Sequence, residues 1–265
     1  MRFGIPVTLA LVALMSSACT PEQAAPTCTN EGGYVIDARI VDGTGAPAFA
    51  GNVRIRDGVI AEIGTAIEMC DGETLIHSGA LTLAPGFIDT HSHADGAIRD
   101  LPDALNHVSQ GITTAIIGQD GGSQYPLGDF FTELEANPVA LNVASYVGHN
   151  RLRYEVMGDD FKRIATEDEI EQMKVMLQAE LDAGALGLSA GLEYEPGIYS
   201  ETMEVLALAQ VAANADTRYI SHVRSEDRWF EDGIDEIILI GRETGMPVQV
   251  SHLKLAMKRL WGSAD

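Results

Sequence analysis

The sequence is poor in basic residues, and this scarcity narrows the choice of partners. Its 17 Lys and Arg stand against 39 Asp and Glu, which gives a formal net charge of −22 at pH 7. Because polyphosphate backbones and anionic lipids repel such a charge, the composition argues against nucleic acid or an anionic membrane surface as a partner. With 265 residues, 46% of them hydrophobic, the chain is typical of a globular protein with one large domain or two modest ones.

A long hydrophobic segment is also lacking, because the apolar run from Ile5 to Met15 is too short to cross a bilayer comfortably. Arg2 precedes this run and small residues follow it, an order typical of a secretory signal peptide. We therefore expect residues 1–19 to direct export, to the periplasm or to a membrane-anchored lipoprotein. Cys19 resembles the lipidated cysteine of bacterial lipoprotein signals, although Ser16 stands where that pattern usually has Leu. A lipid anchor at Cys19 is therefore left open.

The chain has only three cysteines, so a disulfide-rich scaffold is excluded. If Cys19 is modified or removed, Cys28 and Cys70 remain. An oxidising compartment would permit a disulfide between them, and two separate thiols are the alternative.

Two regions with different sequence patterns follow the predicted signal peptide. Residues 20–33 are polar and rich in Pro, Thr and Gly, which is typical of a linker. Residues 34–84 contain short β-prone runs between turn signals, and Asp57-Gly58 between two alternating runs predicts a β-hairpin. We interpret this segment as a small all-β module.

From residue 85 to residue 265, apolar strand-like runs alternate with helical patterns, which predicts βαβ units around a parallel sheet. The best helix spans Glu167–Ala183, where Thr166 and Glu169 form a capping box; others are predicted near Glu201–Ala213 and Ile234–Glu243. The predicted strands are Gly86–His91, Thr113–Gly118, Leu141–Val147, Ala185–Ala190, Tyr219–His222 and Pro247–His252.

This α/β pattern fits an eight-fold β/α barrel better than a doubly wound sheet. The sequence stops at Asp265, soon after the sixth strand, whereas a complete barrel needs two more units. We therefore expect the sequence to be truncated relative to the working protein.

Histidines recur at the carboxyl ends of these strands, where β/α barrels place their active sites. His91 and His93 point to the same side of a strand because side chains alternate between its faces. His222 and His252 each follow an apolar strand and a serine. Since neutral imidazole is the commonest metal ligand, the four together predict a metal site. We interpret His77 and His107 as structural or surface residues. The role of His149 is left open.

The first strand, Pro85-Gly86-Phe87-Ile88-Asp89-Thr90-His91-Ser92-His93, resembles the first-strand motif of the amidohydrolase superfamily. Later segments resemble the D-aminoacylase family, the N-acyl-D-amino-acid deacylases, and the resemblance runs from about residue 34 to the end. These segments are Gly148-His149-Asn150-Arg151-Leu152-Arg153 with Val156-Met157-Gly158, residues 183–194, Ser221-His222-Val223-Arg224-Ser225-Glu226 and Val248-Gln249-Val250-Ser251-His252-Leu253-Lys254.

The resemblance implies a (β/α)8 (TIM) barrel, incomplete after strand 6, with a small β-sandwich portion over residues 34–84. It implies one or two Zn²⁺ ions, with His91 and His93 at one position and His222 and His252 at the other. Many relatives carry a cysteine at the end of strand 2, where this chain reads Gly118-Gln119-Asp120-Gly121. Glu193 is the first candidate for the missing ligand and Asp120 the second, since carboxylate oxygen is an acceptable zinc ligand.

By the same resemblance, the chemistry is hydrolysis of a linear amide by metal-activated water, releasing a D-amino acid from an N-acyl-D-amino acid or a D-residue-containing dipeptide. Tyr194 and Lys254 would hold the substrate carboxylate, a task for which Arg224 and Arg153 are further candidates, with structural salt bridges as the alternative. The general-base aspartate is expected beyond residue 265, so an inactive fragment is one alternative. Another is a cyclic-amide hydrolase of the hydantoinase or dihydroorotase type, which usually needs a carboxylated lysine on strand 4. No lysine lies between Lys174 and Tyr219, which argues against it.

Overall fold

The computed structural model describes residues 32–262. The chain separates into two compact units, with the boundary between Pro85 and Gly86. The predicted signal peptide, the linker residues before 32, Cys19 and Cys28 lie outside the described residues, and export and lipidation stay predictions. Within the described part of the chain, no helix combines the length and apolar character needed to span a bilayer.

The first unit is built on one mixed four-stranded sheet, in the order β3-β2-β1-β4. Strand β1 pairs antiparallel with β2 and parallel with β4, and β2 pairs antiparallel with β3. Asp57 and Gly58 both have positive φ, 50° and 76°, as a two-residue turn between twisted strands requires, so the predicted hairpin is confirmed. The strands are β1 Gly33–Ile40, β2 Phe49–Arg56, β3 Val59–Gly64 and β4 Glu73–Leu83.

A buried ionic cluster fixes the segment before β4. Burial raises the pKa of Glu73, but hydrogen bonds from the Cys70 N–H, Arg54 and Arg56 outweigh it and bring this pKa to about 2. Glu73 is therefore ionised at neutral pH and paired with Arg54 at 2.8 Å. Cys70 itself is buried and disulfide-bonded. Since its predicted partner Cys28 lies outside the described residues, that pairing stays a prediction.

The second unit contains two parallel sheets, one of three strands and one of four, and within each sheet the strands neighbour one another in chain order. This is the order of a β/α barrel rather than of a doubly wound sheet. All six predicted strands are present, and Tyr146 divides the third into two short strands. The α/β class is thus shown, while an eight-stranded barrel stays a prediction. The strands are β5 Phe87–Asp89, β6 Ile112–Ile117, β7 Asn142–Ser145, β8 Val147–Gly148, β9 Gly187–Gly191, β10 Arg218–His222 and β11 Val248–Val250.

Helices cover the sheet and close its apolar core. Leu177, Leu188, Leu208 and Ile240 are fully buried in one cluster, and burying each such side chain stabilises the fold by about 1.5–3 kcal/mol. The three predicted helices are confirmed within a few residues, and three further helices were not predicted. The helices are α1 Leu105–Val108, α2 Leu127–Ala136, α3 His149–Met157, α4 Glu167–Asp182, α5 Thr202–Asn214 and α6 Phe230–Thr244.

Helix α4 begins with the capping box that the sequence indicates. The Glu169 N–H donates to Thr166 Oγ1 at 3.3 Å, and the Thr166 N–H donates to Glu169 Oε2 at 2.8 Å. These two bonds satisfy backbone donors that the first helical turn leaves unpaired.

Replacing Thr166 with alanine is therefore expected to lower the free energy of unfolding by about 1 kcal/mol, because it removes the cap. Chemical denaturation followed by circular dichroism measures this change. Thr132→Ala, at an exposed position inside α2, is the matched control and should cost much less. Equal losses for the two variants would contradict the assigned role of the cap.

Candidate metal centre

Two histidines and one aspartate converge just beyond strands β5 and β6. The Nε2 atoms of His91 and His93 each lie 3.1 Å from Asp120 Oδ2. Asp120 is buried, His91 is partly buried and His93 is mostly exposed. Burial raises the pKa of Asp120, but the side chains of Ser251, His91 and His252 outweigh it and hold this pKa below its usual range. The cluster is thus an ionised carboxylate facing two imidazoles.

The loop that carries Asp120 has an unusual backbone that fixes the carboxylate. Asp120 has a φ of 54°, and its neighbours Gly118 and Gly121 have φ of 72° and 80°. A Cβ at Gly118 would lie 2.3 Å from the Tyr146 carbonyl oxygen, so only glycine fits there. The Tyr194 hydroxyl donates to the Asp120 carbonyl at 2.6 Å. The loop therefore packs against Tyr146 on one side and is hydrogen-bonded to Tyr194 on the other. These contacts fix the direction of the Asp120 side chain.

The histidines of β10 and β11 complete the cluster on the other side of Asp120. His252 Nε2 lies 3.9 Å from Asp120 Oδ2. The ring of His222 packs edge-on against that of His252, with 4.7 Å between the ring centroids. Candidate ligand atoms of Asp120, His222 and His252 lie within 4.8 Å of one another, as do those of His91, His93 and Asp120. Asp120 is common to these two groups. A third group, Glu193, His222 and Glu226, shares His222 with the second.

Glu193, the other carboxylate predicted to replace the missing thiolate, lies on one side only. Its Oε2 is 3.1 Å from His222 Nε2, and its Oε1 accepts a hydrogen bond from the Glu226 N–H at 3.0 Å. It therefore belongs with His222, whereas Asp120 reaches both histidine pairs. The geometry favours Asp120 as the shared ligand and Glu193 as a further donor beside His222.

Glu226 is a site residue that the sequence did not single out. Its carboxylate is buried, contacts His252 Nδ1, lies 3.7 Å from His222 Nε2 and pairs with Lys254 Nζ at 2.8 Å. The available signal was its position four residues after His222, in the same family-like segment.

The three predicted substrate-binding residues have different surroundings. Lys254 is half-exposed beside Glu226, and this contact raises its pKa. Tyr194 packs edge-on against His222, with 4.9 Å between the ring centroids. Arg224 does not reach the cluster: its guanidinium donates to both Glu236 oxygens, at 2.9 and 2.8 Å. The ion pair with Glu236 is the structural alternative named for Arg224, and its role in substrate binding stays a prediction.

The remaining candidates also have structural partners. His149 is fully buried, with Nε2 2.8 Å from Glu204, and Arg153 pairs with the same carboxylate at 2.5 Å. His107 lies 3.5 Å from Ser92 Oγ, and His77 is exposed in the first unit. None of these three histidines contributes to the metal-ligand groups found among residues 32–262.

The donor set fits a zinc ion. Zinc takes imidazole nitrogen at about 2.0–2.1 Å and carboxylate oxygen at about 2.0–2.2 Å, so ligands of a tetrahedral ion lie roughly 3.3 Å apart. The observed 3.1 Å between Asp120 Oδ2 and each of the two imidazoles is within a few tenths of an ångström of that spacing. Two histidines beside one carboxylate also form the ligand set of some catalytic zinc sites, in which the fourth position stays open for water.

Comparison with known families agrees with this geometry. Residues 79–261 match the amidohydrolase family, a region that contains all four strand-end histidines. The chain belongs to the amidohydrolase family.

Within that family, the chain is similar to two enzymes of Alcaligenes xylosoxydans xylosoxydans. It is 36% identical to an N-acyl-D-glutamate deacylase over 88% of this chain and 51% of the relative. It is also 36% identical to an N-acyl-D-aspartate deacylase over 86% of this chain and 50% of the relative. The chain thus spans about half the length of the curated relatives it matches.

Solved amidohydrolase structures show the same likeness. An N-acyl-D-glutamate deacylase from Bordetella bronchiseptica, in complex with zinc and a phosphonate mimic of the tetrahedral intermediate, superposes with a TM-score of 0.82 and is 36% identical, covering 87% of this chain and 53% of that one. A D-aminoacylase structure gives a TM-score of 0.80 at 31% identity, covering 86% of this chain and 53% of that one. A D-hydantoinase is 16% identical with a TM-score of 0.57, which shows a shared fold alone.

Proposed function

We propose that the cluster around Asp120 binds zinc and that the protein hydrolyses the linear amide bond of an N-acyl-D-amino acid or of a dipeptide with a D-residue. The position of Asp120 between two histidine pairs carries this proposal. The deacylases that are 36% identical support the choice of substrate class.

In this proposal, His91, His93 and Asp120 hold one ion, and Asp120, His222 and His252 hold a second if it binds. A bound zinc ion supplies an activated water and polarises the carbonyl group of the amide. Glu193 stands beside His222 as a further donor. Because two imidazoles face one ionised carboxylate, the chain provides negative charge where a divalent cation needs it.

The half-exposed ammonium of Lys254 supports a substrate with a free carboxylate. Its pKa is raised by Glu226, so it stays protonated at neutral pH and offers a cation next to the histidines. The Tyr194 hydroxyl donates to the Asp120 carbonyl and keeps an acceptor lone pair. Its contribution to the site is therefore to hold the Asp120 loop and to shape the wall beside His222.

Zinc analysis and an amine-release assay test the proposal. The 265-residue chain, purified and dialysed, should retain one or two zinc ions. The full-length protein should release amine from N-acetyl-D-amino acids and not from their L-enantiomers, lose this activity on chelation and regain it with zinc. His77→Ala, at an exposed position outside the cluster, should change neither result.

Three outcomes would oppose the proposal. Absence of zinc from both the 265-residue chain and the full-length protein would contradict the proposed metal site. Amine release that chelation does not affect would remove the metal from the chemistry. Ring opening of a hydantoin in place of amine release would favour the cyclic-amide alternative.

Export of the protein is a separate proposal. It rests on the order of Arg2, the apolar run Ile5–Met15 and the small residues before Cys19. Cell fractionation of the producing organism tests it, with the protein expected outside the cytoplasm.

A further inference from the structure

Glu226 is a buried carboxylate that touches three functional side chains at once. Its side chain is only 3% exposed, although it follows a strand end in a loop. A buried carboxylate is costly unless charged or hydrogen-bonded groups compensate it. The groups that do so here are His252, Lys254 and His222, all of which belong to the candidate site.

The contact with His252 determines which nitrogen of that ring faces the other ligands. Glu226 Oε1 is in ion-pair contact with Nδ1, without the geometry of a hydrogen bond, while Nε2 lies 3.9 Å from Asp120 Oδ2. A carboxylate that accepts the Nδ1 proton leaves the Nε2 lone pair free for a metal ion. Metal-bound histidines commonly have such a carboxylate partner, which fixes the ring and its tautomer.

The second oxygen of Glu226 extends the same arrangement to Lys254. Glu226 Oε2 is 2.8 Å from Lys254 Nζ and 3.7 Å from His222 Nε2. The backbone of Glu226 adds two contacts: its N–H donates to Glu193 Oε1 at 3.0 Å, and its carbonyl accepts from the Ala256 N–H at 2.7 Å. One residue thus connects the loop after β10 with the loop after β11.

We propose that Glu226 is a positioning residue that holds His252 as the Nδ1–H tautomer with Nε2 free for the metal ion, and fixes Lys254 beside it. The role of Lys254 towards substrate rests on the proposed function. The effect on His252 concerns metal binding alone and can be tested without substrate.

Glu226→Gln tests this role because glutamine keeps the shape of the side chain but removes its charge. It also replaces one of the two carboxylate oxygens, which face His252 and Lys254 separately, with an NH2 donor. Glu236→Gln is the matched control, since Glu236 is also a mostly buried carboxylate in an ion pair, with Arg224, and touches no site histidine. Competition with a chromophoric chelator measures zinc affinity in both variants.

In Glu226→Gln we expect the weaker zinc site to lose affinity by about 10–100-fold, the effect typical of removing such a partner, with the ion still bound at saturating zinc. In Glu236→Gln, zinc affinity should stay within about threefold, even if the melting temperature falls. Equal affinities in the two variants would overturn the proposal. Complete loss of one ion at saturating zinc would also overturn it, because Glu226 would then be a ligand.

A measurement on the unmutated chain tests the proposal even if the Glu226→Gln variant misfolds. Long-range ¹H–¹⁵N NMR of the metal-free protein reports the tautomer of each neutral histidine, and His252→Gln identifies the resonance of His252. The Nδ1–H form is expected; a dominant Nε2–H form would contradict the proposal. Failure of the wild-type chain to bind zinc would instead count against the proposed function, so the two failures are distinguishable.

Discussion

Replacing Asp120 with asparagine is expected to abolish stoichiometric zinc binding. On the proposed function, it should also lower kcat/KM for amine release by at least about 10³-fold, or ~4 kcal/mol of transition-state stabilisation. The reason is that Asp120 Oδ2 lies 3.1 Å from the Nε2 atoms of His91 and His93. The same oxygen also lies 3.9 Å from His252 Nε2. A neutral amide oxygen is a much poorer ligand than a carboxylate for an ion shared between two histidine pairs. Zinc content by atomic absorption and amine release measure the two effects.

Asparagine is the appropriate replacement because Asp120 has a φ of 54°, a conformation that Asn tolerates better than most residues. Asp216→Asn is the matched control: Asp216 has a φ of 55° but is exposed and outside the cluster. Zinc content and activity should be unchanged in Asp216→Asn. Full zinc occupancy in Asp120→Asn would show that Asp120 is not the shared ligand.

Replacing Glu204 with glutamine is expected to lower the free energy of unfolding by about 3–5 kcal/mol, the cost of breaking a buried ion pair from one side. Arg153 is fully buried, and Glu204 is the carboxylate that pairs with it, at 2.5 Å. The same carboxylate holds His149 at 2.8 Å, so its loss affects two elements, α3 and α5. Urea denaturation of the 265-residue chain measures the change.

The matched control is Glu171→Gln, which breaks the exposed pair with Lys174 and should cost less than about 0.5 kcal/mol. Similar losses of unfolding free energy in Glu204→Gln and Glu171→Gln would show that the buried contacts of Glu204 with Arg153 and His149 contribute no more than an exposed ion pair. Glu204→Gln should leave the zinc content of the folded fraction unchanged, since Glu204 lies outside the metal-ligand groups of the described chain.

The same carboxylate predicts a pH dependence. Burial raises the pKa of Glu204, but contacts with His149 and Arg153 outweigh it and lower this pKa below its usual 4.5. A lowered folded-state pKa contributes stability that is complete above the unfolded value and is lost as the pH falls through the folded value. The stability difference between wild type and Glu204→Gln should therefore be largest above about pH 4.5 and shrink at more acidic pH.

Elements with a local signal were the ones that the sequence could predict. The capping box depends on Thr166 and Glu169, only three positions apart, and it is present in the structure. The six strands of the second unit follow apolar runs bounded by polar residues. Helix α3 was missed because its sequence, His149–Met157, is polar and its buried side chains include His149 and Arg153. Only the tertiary partner Glu204 makes those residues suitable for the interior.

Within the site, the strand ends brought the four histidines together as chain order suggests, but the choice between carboxylates required the fold. Asp120 reaches both histidine pairs because its loop has a left-handed backbone held by Tyr194, a contact 74 residues away in sequence. Arg224 and Glu226 are two positions apart, yet only Glu226 faces the histidines. The sequence does not show this difference, because it depends on where Glu236 of α6 lies.

Anomalous diffraction at the zinc edge, from crystals of the chain grown with zinc, tests the central claim most directly. We expect an ion within about 2.0–2.2 Å of an Asp120 carboxylate oxygen and about 2.0–2.1 Å of His91 and His93 Nε2. A zinc ion bound by these histidines without Asp120, or no ion at the cluster, would contradict it.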